Sequence, residues 1–236
     1  MLSRHSLLVF AVAAALFATA ALAQTDLEQR CAAGDGENAV AACSDIIGSN
    51  ESRDVSWAYF DRGRAYVHGK LYASAISDFT EFLRFNSDNA GAFTLRGRAF
   101  LGMEDYSHAV DDFDSAAELQ PTSADALREA CWARAAGDRG LDGAVDDCTK
   151  ALALKPGDPV ILETRCLAQL RNAAYAAAIA DCSAALASNP LRASALYLRG
   201  LAKKKAGVSG GDRDIAAATT LDPDIAATYA TYGVKP

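Results

Sequence analysis

The side chains here with chemistry to offer are six cysteines, a cluster of aspartates and three histidines. The cysteines are Cys31, Cys43, Cys131, Cys148, Cys166 and Cys182. No two stand as Cys-x2-Cys, the spacing that thiol–disulfide exchange uses at a helix start. Metal ligation would need close thiol pairs with histidine support, and His5, His68 and His108 do not supply it. We therefore expect no metal and no cofactor. Asp111, Asp112 and Asp114 resemble an acid/base cluster. However, aspartate recurs at Asp78, Asp112, Asp147, Asp181 and Asp214, and arginine at Arg62, Arg96, Arg165 and Arg199, with Ala130 breaking that series. Repetition at one structural place points to a scaffold role, with the aspartate run on a solvated helix face. His-Glu-x2-His and phosphate-loop patterns are missing. No catalytic residue is assigned, and an enzyme is not expected.

The N-terminus says where the cysteines would work. Arg4 and His5 form a short positive end, Leu7 to Ala18 is apolar, and Ala21-Leu22-Ala23 precedes Gln24. This is the composition of a cleaved secretory signal over residues 1–23. The apolar run is short for a membrane span, which takes about 20 residues. The mature chain, 24–236, is expected in the bacterial periplasm or outside, with no stable membrane insertion after cleavage after Ala23. An even cysteine count in an exported chain reads as disulfides. Loss of Arg4 with the leader takes the formal charge from −7 to −8, which argues against nucleic acid or an anionic membrane as general partner.

The elements that position these residues repeat. Gly63, Tyr66, Ala75 and Phe79 recur 34 residues on as Gly97, Phe100, Ala109 and Phe113. Within each segment the apolar residues fall at helical spacing, first in one stretch and then in a second. Pro121, Pro156, Pro190 and Pro223 follow at 35, 34 and 33, each just past a helical stripe, where proline ends a helix at low cost. Aromatics are only 8% while hydrophobic residues are 51%, which suits Ala-lined helix packing better than a sandwich. A period of this size marks a helical repeat array. The repeats run 26–48, 56–89, 90–123, 124–157, 158–191 and 192–222, with a closing helix over 224–232. The first is shortened, and the fourth carries one extra residue near Gly137–Gly140.

The pattern aromatic-x3-Gly-x2-aromatic, Ala-x3-Phe, then Pro resembles the tetratricopeptide repeat (TPR) family across most of the mature chain. Sel1-like and other helical-hairpin repeats are the alternatives, with a similar functional reading. The resemblance implies an all-α, right-handed superhelical solenoid of about six antiparallel helix pairs. It also implies a disulfide pairing. Cys131 and Cys166 take the place of Gly63 and Gly97, and Cys148 and Cys182 that of Phe79 and Phe113. Those places face each other across a hairpin in the resembled fold, so we expect Cys131–Cys148 and Cys166–Cys182, with Cys31–Cys43 in the first repeat.

In the resembled family the first helix of each pair lines a concave groove. Carried onto this chain, that makes Trp57, Phe60, Arg64, Arg98, Trp132 and Tyr197 candidate groove residues. Trp, Tyr and Arg dominate binding energy when buried in an interface. Arg64 and Arg98 lie one period apart and are expected to hold a carboxylate of an acidic segment. The Lys/Asn set that clamps heat-shock chaperone tails is not seen. The expectation is a non-catalytic protein- or peptide-binding module. The alternative is a scaffold that organises a cell-envelope assembly through its convex or end surfaces.

Overall fold

A computed structural model describes residues 25–34, 36–49 and 54–235. The expected leader and its cleavage point lie outside these residues. All regular structure among the described residues is helical. The helices form two compact bodies, one ending at Ser87 and one beginning at Asp88. The first body holds α1 (25–32), α2 (Gly36–Ser49), α3 (Ser56–His68) and α4 (Tyr72–Phe85). The second holds α5 (Ala90–Gly102), α6 (Tyr106–Leu119), α7 (Ala124–Gly137), α8 (Leu141–Leu154), α9 (Pro159–Arg171) and α10 (Tyr175–Ser188). It continues with α11 (Ala193–Lys205), α12 (Gly211–Leu221) and a short α13 (Ile225–Thr231). Each sequence repeat is one helix pair, from α1/α2 to α11/α12.

Local chemistry sets the boundaries. The Asn89, Ser123 and Asp158 side chains accept from backbone N–H groups in the first turns of α5, α7 and α9, satisfying donors that a helix start leaves orphaned. Pro159 follows at the start of α9, where its missing N–H costs nothing. The turns inside the pairs pass through left-handed backbone at Lys70, Glu104, Asp138, Ala173 and Gly207. Only the last has the residue type that takes this conformation without strain.

Two devices recur in holding the pairs together. The first is a close approach at mid-helix. A Cβ on Gly63 or Gly97 would lie 2.9 Å from Cε1 of Phe79 or Phe113, and both rings are fully buried. In the next two repeats the same places carry Cys131–Cys148 and Cys166–Cys182, each with Cα atoms 5.6 Å apart. The first repeat is joined by Cys31–Cys43. Among the described residues no cysteine is free. The sixth pair closes most tightly, with Gly200 set against Ile215 and the Gly211 carbonyl.

The second device is a forked ion pair. Arg62, Arg96, Arg165 and Arg199 each donate through Nε and Nη2 to both oxygens of Asp78, Asp112, Asp181 and Asp214, at 2.6–2.9 Å. These carboxylates are buried, so Asp112 does not sit on the solvated face that its acidic neighbours suggested. Burial, with the Asp111 charge adding to it, pushes Asp112 up, and the Arg96 guanidinium only partly offsets it. At Asp214 the order reverses. Burial raises its pKa, but hydrogen bonds and charge from Arg199 and Lys203 outweigh burial and hold it below the usual range.

The fourth repeat, where Ala130 replaces arginine, solves the problem differently. Arg134, one turn further along α7, reaches Asp147 at 2.5 Å and also Asp114 of α6 at 2.6 Å. Asp114 stands where Thr149 and Ser183 stand in the following repeats. Those hydroxyls accept from Arg165 and Arg199 of the next pair. A carboxylate for a hydroxyl and a shifted arginine thus compensate each other.

Candidate interaction surface

In the second body α7 packs on α9 and α9 on α11, while α8, α10 and α12 make no comparable contact with one another. The first helices are drawn together and the second helices spread, so this stack curves with α7, α9 and α11 on its inner face. Trp132 and Tyr197 lie on that face, Trp132 partly buried and Tyr197 wholly so. Tyr197 is fully buried under Tyr229 of α13, with ring centroids 5.4 Å apart and nearly parallel. Trp132 meets Tyr232 edge to face at 5.3 Å, and Tyr232 in turn meets Tyr229 at 6.0 Å. The C-terminal segment therefore runs from α11 across the inner face to α7.

Polar contacts hold the far end of that segment. Arg171, at the C-terminus of α9, donates to the Tyr232 carbonyl and to the Ala136 carbonyl, and pairs with Asp138 at 3.2 Å. Val234 is buried beside it, and Leu170, Arg171, Tyr175, Lys205 and Gly233 line a cleft of about 350 Å3 there. Burial pushes the Tyr229 phenol far above its ordinary value, with the Glu163 carboxylate adding to it. Tyr229 therefore stays neutral at any working pH. The repeat pattern missed Arg171, Tyr229 and Tyr232. The two tyrosines lie past the last repeating slot, and an apolar i, i+3 pair in a tail without a mate was the signal available.

Arg98 extends from α5 to Glu129 of α7 at 2.8 Å, and Glu129 also accepts from Arg128 at 2.7 Å. Arg98 remains half exposed, while the Glu129 side chain is nearly buried. In the first body Arg64 pairs with Asp61 at 3.0 Å, and its guanidinium covers Gly34 in the α1–α2 turn. Burial raises Asp61, and the hydrogen bond and charge from Arg64 pull it back. The two candidate arginines thus belong to different bodies, and each already holds a carboxylate within its own. Phe60 turns inward, its ring 5.8 Å from Phe79 and 5.0 Å from Phe82. Trp57 packs, half buried, on the cluster of Cys31, Cys43 and Ile46. At the C-terminal end of α3, Gly36, Val40, Tyr66, His68 and Leu71 line a cleft of about 600 Å3.

Among the described residues no group of three or more His, Cys, Asp or Glu could hold a metal ion. No described helix is long and apolar enough to cross a membrane.

Comparison with solved structures defines the fold as that of the TPR solenoids. The protein MamA from Desulfovibrio magneticus RS-1 superposes with a TM-score of 0.64 at 16% identity, over 73% of this chain and 97% of that one. YrrB, described as a TPR protein with an unusual peptide-binding site, gives 0.62 at 16% identity, over 82% and 98%. PilW, described as a widely conserved type IV pilus biogenesis factor, gives 0.62 at 19% identity, over 72% and 79%. At these identities the likeness is one of fold. No protein-family model and no curated protein matches the sequence.

Proposed function

We propose that this chain is a non-catalytic protein- or peptide-binding module of the bacterial periplasm, and that the inner face of its first helices is the binding surface. One observation carries the reading. The face of α7, α9 and α11 already holds a stretch of polypeptide, by ring contacts at Tyr197 and Trp132 and by Arg171 on a backbone carbonyl. A surface that grips a side-chain pair and a main-chain oxygen together has what peptide recognition needs. The peptide-binding site named for YrrB, on a similar fold, agrees with this reading.

Three disulfides support export, because such bonds persist in oxidising compartments and are rare where thiols are kept reduced. The leader-like residues 1–23 point the same way. Arg64 and Arg98 are the candidates for orienting an acidic segment, each by exchanging Asp61 or Glu129 for a carboxylate of the partner. In the first body Trp57, two turns before Arg64 on α3, is the candidate anchor. Phe60 contributes through packing under that face.

The scaffold alternative has one observation in its favour. On the second-helix side Ala117, Pro121, Leu127 and Leu154 line a cleft of about 570 Å3 with Asp114 and Lys150 at its edge. A photo-crosslinking residue at Arg98 or at Leu154 separates the two readings in periplasm-expressing cells. Capture of a discrete protein from position 98 supports the inner face. Capture from position 154 alone refutes it and favours the scaffold.

A further inference from the structure

We infer that the C-terminal segment, α13 with Tyr232 to Lys235, is an intramolecular ligand that competes with the partner for the α7/α9/α11 face. The partner segment then shares its chemistry: a short helix carrying two aromatic rings three residues apart, a turn, and a β-branched side chain. The inference rests on the reading of that face as the binding surface.

Several observations favour a displaceable occupant over a permanent cap. α13 has seven residues, too few to hold a helix on its own in water. It is joined to α12 only through Asp222, Pro223 and Asp224, a connection in which Asp222 is extended and proline prevents the helix from continuing. Its anchors are few. Ile225, Tyr229 and Val234 are buried, while Ala226, Ala227, Thr228 and Thr231 face solvent. The fit is also incomplete. The Tyr197 hydroxyl is fully enclosed and finds no hydrogen-bond partner among the described residues, a cost left unrepaid while the segment sits on the Tyr197 ring. A partner that offers an acceptor to Tyr197 while reproducing the two ring contacts has an advantage over the tail. The face also tolerates exchange, because its contacts with the tail are rings, a hydrogen bond between Ser194 and Tyr229, one carbonyl and the β-branched side chains of Ile225 and Val234, all of which another peptide can present.

The probe is a fluorescein-labelled synthetic peptide with the sequence of residues 222–235, read by anisotropy against the oxidised full chain. The wild-type chain, its face filled from within, should bind the peptide weakly. The full-length Tyr229→Ala/Tyr232→Ala variant, whose tail has lost its grip, should bind it at least tenfold more tightly. Adding Trp132→Ala to that variant should remove most of the gain, and a peptide with both tyrosines changed to alanine should not bind.

A second measurement follows the tail directly. In a Trp57→Phe chain Trp132 is the remaining tryptophan, and its emission should shift as unlabelled peptide displaces Tyr232. Equal affinity of wild type and the tyrosine variant overturns the inference. So does loss of the helical signal in the variant, which would make the segment part of the core. A concentration-dependent dimer, with the face filled by a second copy's tail, overturns the intramolecular assignment. If the peptide results fail while crosslinking at position 98 still captures its protein, the competition is refuted and the binding reading stands.

Discussion

Arg134 is the residue on which the fourth repeat depends, and its replacement by alanine should have a pH signature as well as a cost. Its guanidinium is the bridge between Asp147, whose side chain is 14% exposed, and Asp114, which is 40% exposed. Removing one partner of a buried pair costs about 3–5 kcal/mol, because the remaining charge is stranded. Asp114 can turn to water, so the lower end, about 3 kcal/mol at neutral pH, is the expectation. Burial already pushes Asp147 up, Arg134 and Lys150 hold it down, and Asp114 adds repulsion. Without Arg134 the folded-state pKa rises further.

A carboxyl whose folded pKa lies above its unfolded value, near 3.9, binds protons more tightly when folded. Stability therefore falls as pH rises through that interval. The deficit of Arg134→Ala should be largest at neutral pH and above, and shrink as the pH falls through the raised folded value, where Asp147 takes up a proton. Urea unfolding of the oxidised protein at pH 7.5 and pH 5, followed by hydrogen exchange in α7 and α8, measures it. Arg134→Lys, which keeps the charge but not the fork, should fall between the two. A loss under about 1 kcal/mol that does not change with pH would refute the reasoning, because a solvated surface pair behaves that way.

Other consequences follow from the same contacts. Reducing the disulfides should loosen α7–α10, where loops of 17 and 16 residues are closed, by about 3 kcal/mol per bridge in the loop-entropy account. It should spare α5–α6, where Gly97 and Phe113 fill the same place, and site-resolved hydrogen exchange distinguishes the two. Gly97→Ala sets a methyl 2.9 Å from a fully buried ring. Overpacking of about 1–3 kcal/mol should exceed the gain in helix propensity of about 1 kcal/mol, lowering the urea midpoint. Ala173→Gly relieves left-handed backbone at a turn and should raise that midpoint by about 1 kcal/mol equivalent. In acid, the stability from Asp214, held below its usual pKa, is present above about pH 3.9 and lost as pH falls through the folded value. Asp112 is shifted upward and loses no such contribution. Protection should therefore fail in α11–α12 before α5–α6.

The hairpins were legible in the sequence because each repeat buries the same face against the next, so selection for packing leaves a period near 34. The place shared by Gly63, Gly97, Cys131 and Cys166 could be read for the same reason. What could not be read lay outside the period. Arg134 sits one turn off its series, and only the joint oddity of Ala130 and Asp114 hints that the cation has moved. The tail has no repeating slot, so periodicity placed Trp132 and Tyr197 on an open groove that the structure fills with Tyr229 and Tyr232. Phe60 was assigned to the groove although it stands three residues before Gly63. Residues at i and i+3 share a helix face, and its ring accordingly lies against Phe79 and Phe82. The charged candidates were legible by type but not by partner, since Asp61 and Glu129 already engage Arg64 and Arg98.

The most direct test of the account is hydrogen exchange on the oxidised full chain, alone and with the protein captured at position 98. The account predicts slower exchange across α7, α9 and α11, together with faster exchange in α13 as its place is taken. Protection confined to α8, α10 and α12, with α13 unchanged, would contradict it.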